Sequence, residues 1–170
     1  VNFYTHGTSV VGFGHMNRCV KLASEILSTN SEVKINFEGV FEDGAKNHIC
    51  SQVNSSFEEN VNADVCVYDR MDCPENPEFV SLQLIEDVEY RSKAVIFLAN
   101  GFTVPKLNQN VVIVGYKGLS KAQLSRSDLF WGPQYVPISR DIQRTKISNP
   151  KALSIALGGG KNDNLVKVFN

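Results

Sequence analysis

The apolar positions of the chain fall into two rhythms. From about His15 to Ser28, Cys19, Leu22, Ala23, Ile26 and Leu27 recur at three- and four-residue spacing, which lays one apolar stripe along an amphipathic helix. Elsewhere, short apolar runs predict strands: Asn2 to Thr5, which stops at Gly7, and then 33–40, 48–53, 64–68, 93–99, 111–115 and 152–157. Several of these are continuous Val, Ile and Leu runs, the pattern of strands covered on both faces, as in a parallel sheet. Phe79, Leu82, Ile85 and Tyr90 predict a further helix within 78–91, after the breakers Pro74 and Pro77. Strands alternating with helices imply right-handed βαβ crossovers and a doubly wound, Rossmann-like α/β fold with a mostly parallel sheet.

A boundary falls at Asn149-Pro150. The polar stretch 140–149 precedes it, and a new apolar run, the triplet Gly158-Gly159-Gly160 and a helix start at 162–164 follow. Residues 1–149 are read as one Rossmann-like domain, and 150–170 as a linker with the first strand, turn and helix start of a second domain cut short. On that reading a cleft between two domains is present here as one wall, and this length of chain is expected to be inactive by itself.

Composition narrows the partners. With 42% hydrophobic and 21% charged residues among 170, the chain has the make-up of an ordinary globular protein with its own core. No run approaches the roughly 20 apolar residues that span a bilayer, and no basic-then-apolar leader opens the chain, so a cytoplasmic location without a membrane span is expected. A net charge of −1 with dispersed Lys and Arg gives no footprint for nucleic acid. Cys19, Cys50, Cys66 and Cys73 form no CxxC pair and have no His at metal spacing. They are read as buried free thiols, with neither a zinc site nor a disulfide framework.

The chemistry concentrates in Val11-Gly12-Phe13-Gly14-His15-Met16-Asn17-Arg18, a glycine loop between a strand and a helix. In such a unit the glycines, Gly12 and Gly14, let a ligand approach the backbone, and the helix N-terminus offers unpaired N–H groups and partial positive charge. The loop delivers His15 to the first helical turn. A helix N-terminus disfavours an imidazolium, and a neutral imidazole is the form a general base needs. Arg18, one turn later on the same side, suits phosphate or carboxylate, or an ion pair. Asp69 follows the strand 64–68, at the end where doubly wound folds place functional side chains; it is read either as an orienter of His15 or a sugar-hydroxyl contact, or as a turn residue. A dinucleotide fingerprint fits poorly, because Asn17 stands at the third glycine position and the loop from Gly7 is long, although Glu38 lies where a ribose partner would. Gly158, Gly159 and Gly160 with Asn164 read as a phosphate-cradling loop or as a plain strand-to-helix turn. Trp131, Pro133 and Tyr135 lie in a segment too rich in Pro and Gly for a strand interior, an aromatic loop that packs the sheet edge or lines a sugar site.

Four blocks in order resemble the sugar-nucleotide hydrolases of pseudaminic acid biosynthesis and their spore-coat polysaccharide relatives, of glycosyltransferase-B fold. Gly12-Phe13-Gly14-His15-Met16-Asn17-Arg18-Cys19 with Leu22-Ala23 is similar to the family's first glycine-histidine block, and Val67-Tyr68-Asp69-Arg70-Met71 to its strand ending in Asp-His-Tyr. Trp131-Gly132-Pro133-Gln134-Tyr135 is similar to its Leu-Gly-Pro-x-Tyr block, and Leu157-Gly158-Gly159-Gly160 with Asn164 to its second-domain glycine turn. Arg70 and Met71 replace the family's His-Tyr, and Phe97 and Leu98 replace an acidic pair ahead of Ala99-Asn100.

The resemblance implies an enzyme acting on a UDP- or CMP-linked sugar by hydrolysis or glycosyl transfer, with His15 as general base and Asp69 in support. It implies Gly12, Gly14, Arg18, Asn100 and Tyr135 as substrate contacts, Gly158, Gly159, Gly160 and Asn164 as nucleotide contacts, and no metal or cofactor. Two other readings stay open: a catalytically silent sugar- or nucleotide-binding module that partners a synthase, motivated by Arg70, Phe97 and Leu98, and a Rossmann oxidoreductase.

Overall fold

The computed structural model describes residues 1–72, 81–99, 111–114, 127, 129–131 and 135. The first strand, β1 (Asn2–Thr5), pairs in parallel with β2 (Ile35–Glu38) on one side and with β4 (Ala63–Asp69) on the other. Outside β2 lies the short β3 (Ser55–Ser56); outside β4 follow β5 (Ser92–Ala99), β6 (Val111–Val114) and β7 (Leu129–Trp131). The sheet order is therefore β3-β2-β1-β4-β5-β6-β7, every pair parallel. The chain moves outward through β2 and β3, returns to set β4 beside β1, and then moves outward the other way. The carboxyl ends of β1 and β4 thus flank the switch point, where doubly wound sheets open a crevice.

Alternation along the strands splits the apolar residues between two faces. Phe3, Ile35, Phe37, Val67 and Leu98 meet Met16, Cys19, Val20 and Ala23 of α1 (Gly14–Thr29) and Ala45 and Ile49 of α2 (Asp43–Gln52) in one buried cluster. Tyr4, Cys66, Tyr68, Val95 and Phe97 face the other way and pack with Ile85 and Val88 of α3 (Leu82–Tyr90). Cover on both faces is why the strands read as continuous apolar runs. At about 1.5–3 kcal/mol for each large apolar side chain removed from water, these two clusters hold the crevice-bearing strands in place.

Over β2 and the start of β1 the second face is polar instead. Asn2 Nδ2 donates to Glu38 Oε2 at 2.8 Å, Asn36 Nδ2 to Asn2 Oδ1 at 2.9 Å, and Arg91 meets both Glu38 oxygens at 3.3 Å. All three strand residues are buried, so the carboxylate is neutralised and fully bonded where water does not reach it.

Three expectations are corrected. The run 48–53 is not a strand but the end of α2: Ala45 and Ile49 are buried, and Val53 follows at the same four-residue interval, which outweighs the local β-forming character of Ile49 and Val53. In α3 the buried stripe is Ile85 and Val88, whereas Leu82 and Tyr90, at the helix ends, are exposed. Segment 129–131, read as too rich in Pro and Gly for a strand interior, is an edge strand, Leu129–Trp131. Cys50 is exposed on α2, while Cys19 and Cys66 are buried free thiols as expected. Among the described residues no helix is long and apolar enough to cross a membrane. The expected strand 152–157, the domain 150–170 and Cys73 lie outside the described residues.

Candidate functional site at the carboxyl edge of β1 and β4

The loop that follows β1 is pinned at both ends. Gly7 N–H donates to Val40 O and Glu42 N–H to Gly7 O, each at 3.0 Å, and Glu42 Oε1 accepts from both the backbone N–H and the hydroxyl of Ser9 at 2.7 Å. Gly12 N–H closes a turn onto Thr8 O at 2.8 Å, with Gly12 at φ 79°, a conformation that other residues rarely adopt. This delivers the chain into α1 through Phe13, which gives the helix no side-chain cap, and no acidic residue stands in the first turn. The N-terminus of α1, with its partial positive charge, thus stands at the carboxyl edge of β1.

Asp69 ends β4 in register with Thr5 of β1 and is fully buried. His15 and Arg18, three residues apart and so on one side of α1, both reach it. The His15 Nδ1 lies 2.8 Å from Oδ1; Arg18 donates from Nε to Oδ2 at 2.6 Å and from Nη2 to Oδ1 at 2.5 Å. Burial pushes the Asp69 carboxyl up, but the hydrogen bonds from His15 and Arg18, with the Arg18 charge, outweigh it and hold the group below its ordinary range. An ionised carboxylate only accepts, so Nδ1 carries the proton, and in the neutral ring Nε2 is the basic nitrogen. This is the arrangement in which a buried aspartate orients a histidine base. Cys19 Sγ sits 3.8 Å from Asp69 Oδ2. Burial and the Asp69 charge push its thiol well up, so the sulfur serves packing rather than nucleophilic chemistry.

A second cluster occupies the other face of the same edge. The Arg70 guanidinium stacks 4.8 Å from the Tyr4 ring centre and its Nε lies 2.6 Å from Asp72 Oδ1. Asp72 also accepts from Tyr68 OH at 2.7 Å and from Ser81 N–H at 2.9 Å. His6, just beyond β1, accepts from Val40 N–H at 2.9 Å through Nδ1. Partial burial, then the Arg70 charge, lower its pKa to about 4.

Of the residues singled out in the sequence, His15, Arg18 and Asp69 come together, and Gly12 and Gly14 flank them. Tyr135 packs edge-on against Phe130 at 5.6 Å, beyond β7, three strands from β4 or roughly 14 Å along the sheet. Asn100, Gly158, Gly159, Gly160 and Asn164 lie outside the described residues. Glu38 spends its carboxylate on Asn2 and Arg91, which leaves a dinucleotide ribose without its usual acidic partner. Sequence reasoning missed His6, Asp72 and Glu42. For His6 the signal was the one used for Asp69, a polar residue directly after a parallel strand. Comparison of the chain with protein-family models, with curated proteins and with solved structures finds no match.

Proposed function

We propose that the crevice between the ends of β1 and β4 is the reaction wall of an enzyme that acts on a nucleotide-activated sugar, by hydrolysis or glycosyl transfer, within a glycosyltransferase-B architecture. The carrying observation is the Asp69-oriented His15 at the first turn of α1, beside a glycine loop at a topological switch point. In this reading His15 Nε2 removes the proton from the attacking water or hydroxyl, and Asp69 fixes the ring and balances the imidazolium as it forms. The N-terminal N–H groups of α1 face the phosphates of the leaving nucleotide. A cavity of about 320 Å³, lined by Phe13, Met16, Asn17, Glu42 and His48, lies beside that turn, and its wall does not include His15, Arg18 or Asp69. The four ordered sequence blocks supply the substrate class.

The test is a titration of the protein with UDP, CMP and UDP-N-acetylhexosamines, read on the His15 imidazole resonances, together with an assay for free nucleotide. Binding with release in the intact protein supports an enzyme. Binding without release favours the silent module, a reading that the engagement of Arg70 with Asp72 and Tyr4 keeps in view.

A further inference from the structure

His6 stands at the same carboxyl edge of the sheet as His15, in the cluster on the other face, and its ring is held the opposite way. β2 and β4 flank β1 on opposite sides. His6 turns Nδ1 toward β2, where Val40 N–H donates to it at 2.9 Å. A nitrogen that accepts carries no proton, so the neutral ring bears its hydrogen on Nε2. The two ring nitrogens point in widely divergent directions, so Nε2–H is aimed away from Val40. The charges of Arg70 and Asp72 act on the ring. Among the described residues no group accepts from Nε2. Burial and the Arg70 charge keep the ring neutral well below physiological pH.

We infer that His6 is a second ligand-contacting residue of this crevice, a neutral hydrogen-bond donor that binds an acceptor oxygen of the substrate. The inference rests on the nucleotide-sugar reading for its ligand, whose acceptor oxygens are phosphoryl and sugar-hydroxyl oxygens. His6 and His15 are then complementary: a backbone donor leaves the proton of one ring on Nε2, and a carboxylate holds the proton of the other on Nδ1.

Two substitutions separate this role from a purely structural one. His6→Asn keeps an acceptor near the Nδ1 position for Val40 and removes the Nε2–H; His6→Gln places an N–H near the Nε2 position and gives up the Val40 bond. A long-range proton–nitrogen spectrum of the intact protein, titrated in turn with inorganic phosphate, UDP and N-acetylglucosamine, supplies the direct readout. His6 is expected to show the Nε2–H tautomer, and its Nε2 signal to move with phosphate and UDP if a phosphoryl oxygen is the acceptor, or with the sugar if a hydroxyl is. The Kd of the ligand that moves it rises roughly tenfold in His6→Asn and stays within about threefold of wild type in His6→Gln. An Nδ1–H tautomer at His6, a ligand that moves His15 but not His6, or normal binding by Asn with loss in Gln overturns the assignment and leaves the nucleotide-sugar reading standing. If none of the three probes moves either histidine, both fall together.

Discussion

Arg18 grips the buried Asp69 carboxylate with two N–H groups, Nε on Oδ2 at 2.6 Å and Nη2 on Oδ1 at 2.5 Å, and so makes a charge that water never touches tolerable beside His15. Removing one partner strands the other. Asp69→Asn is expected to cost about 3–5 kcal/mol in a urea titration, because the Arg18 charge is left facing a neutral amide. The amide also offers N–H to His15 Nδ1, which favours the wrong tautomer, so any nucleotide release should fall by on the order of a hundredfold or more in the fraction that remains folded.

The same carboxylate sets the acid limit of stability. Its folded pKa lies below the ordinary 3.8, so the stability it contributes is complete above that value and is lost as pH falls through the folded pKa. His6 acts at higher pH with the same sign. Its folded pKa of about 4 lies below the ordinary 6.5, so the unfolded chain takes up this proton first. Its contribution is full above pH 6.5 and declines from there toward pH 4. The urea midpoint of the wild type should therefore be lower at pH 5 than at pH 7.5, and His6→Asn, which cannot titrate, should lose much of that difference.

The parts of this picture that were legible in the sequence are local ones. The glycine loop and the stripe from Cys19 to Leu27 specify β1, the loop and α1 within one short stretch, and the apolar run before Asp69 specifies β4. What was not legible depends on contacts made across the chain. The α2 helix carries β-forming residues and shows its period only at Ala45, Ile49 and Val53, while β3 and β7 are too short to carry a period at all. His6, Arg70 and Asp72 become neighbours only because β4 returns to the side of β1, which no local pattern states.

Two glycines of the edge should respond in opposite ways. Gly39 has φ 147°, and a Cβ there would lie 1.8 Å from Thr5 O, so Gly39→Ala should lower stability by about 2 kcal/mol or more in thermal or urea unfolding. A Cβ on Gly14 would meet nothing within 4 Å. Gly14→Ala should therefore leave stability unchanged or raise it by about 0.5 kcal/mol, while its methyl group crowds the mouth of the crevice and weakens ligand binding in the same titration.

Thiol labelling should separate the cysteines by environment. Cys50 is exposed on α2 and is expected to react with iodoacetamide in the native protein. Cys19 and Cys66 are buried, and burial pushes the Cys66 thiol up to about 12, so both should label only after unfolding, as peptide mass spectrometry would show.

The most direct test of the central claim is nucleotide release from UDP-N-acetylhexosamines by the intact protein, measured beside His15→Ala. The account predicts release by the wild type, a loss of roughly 10²- to 10⁴-fold in the variant, and nucleotide binding retained by both. Equal release by the two proteins would remove His15 from the mechanism, and the absence of any nucleotide binding would contradict the assignment of this crevice.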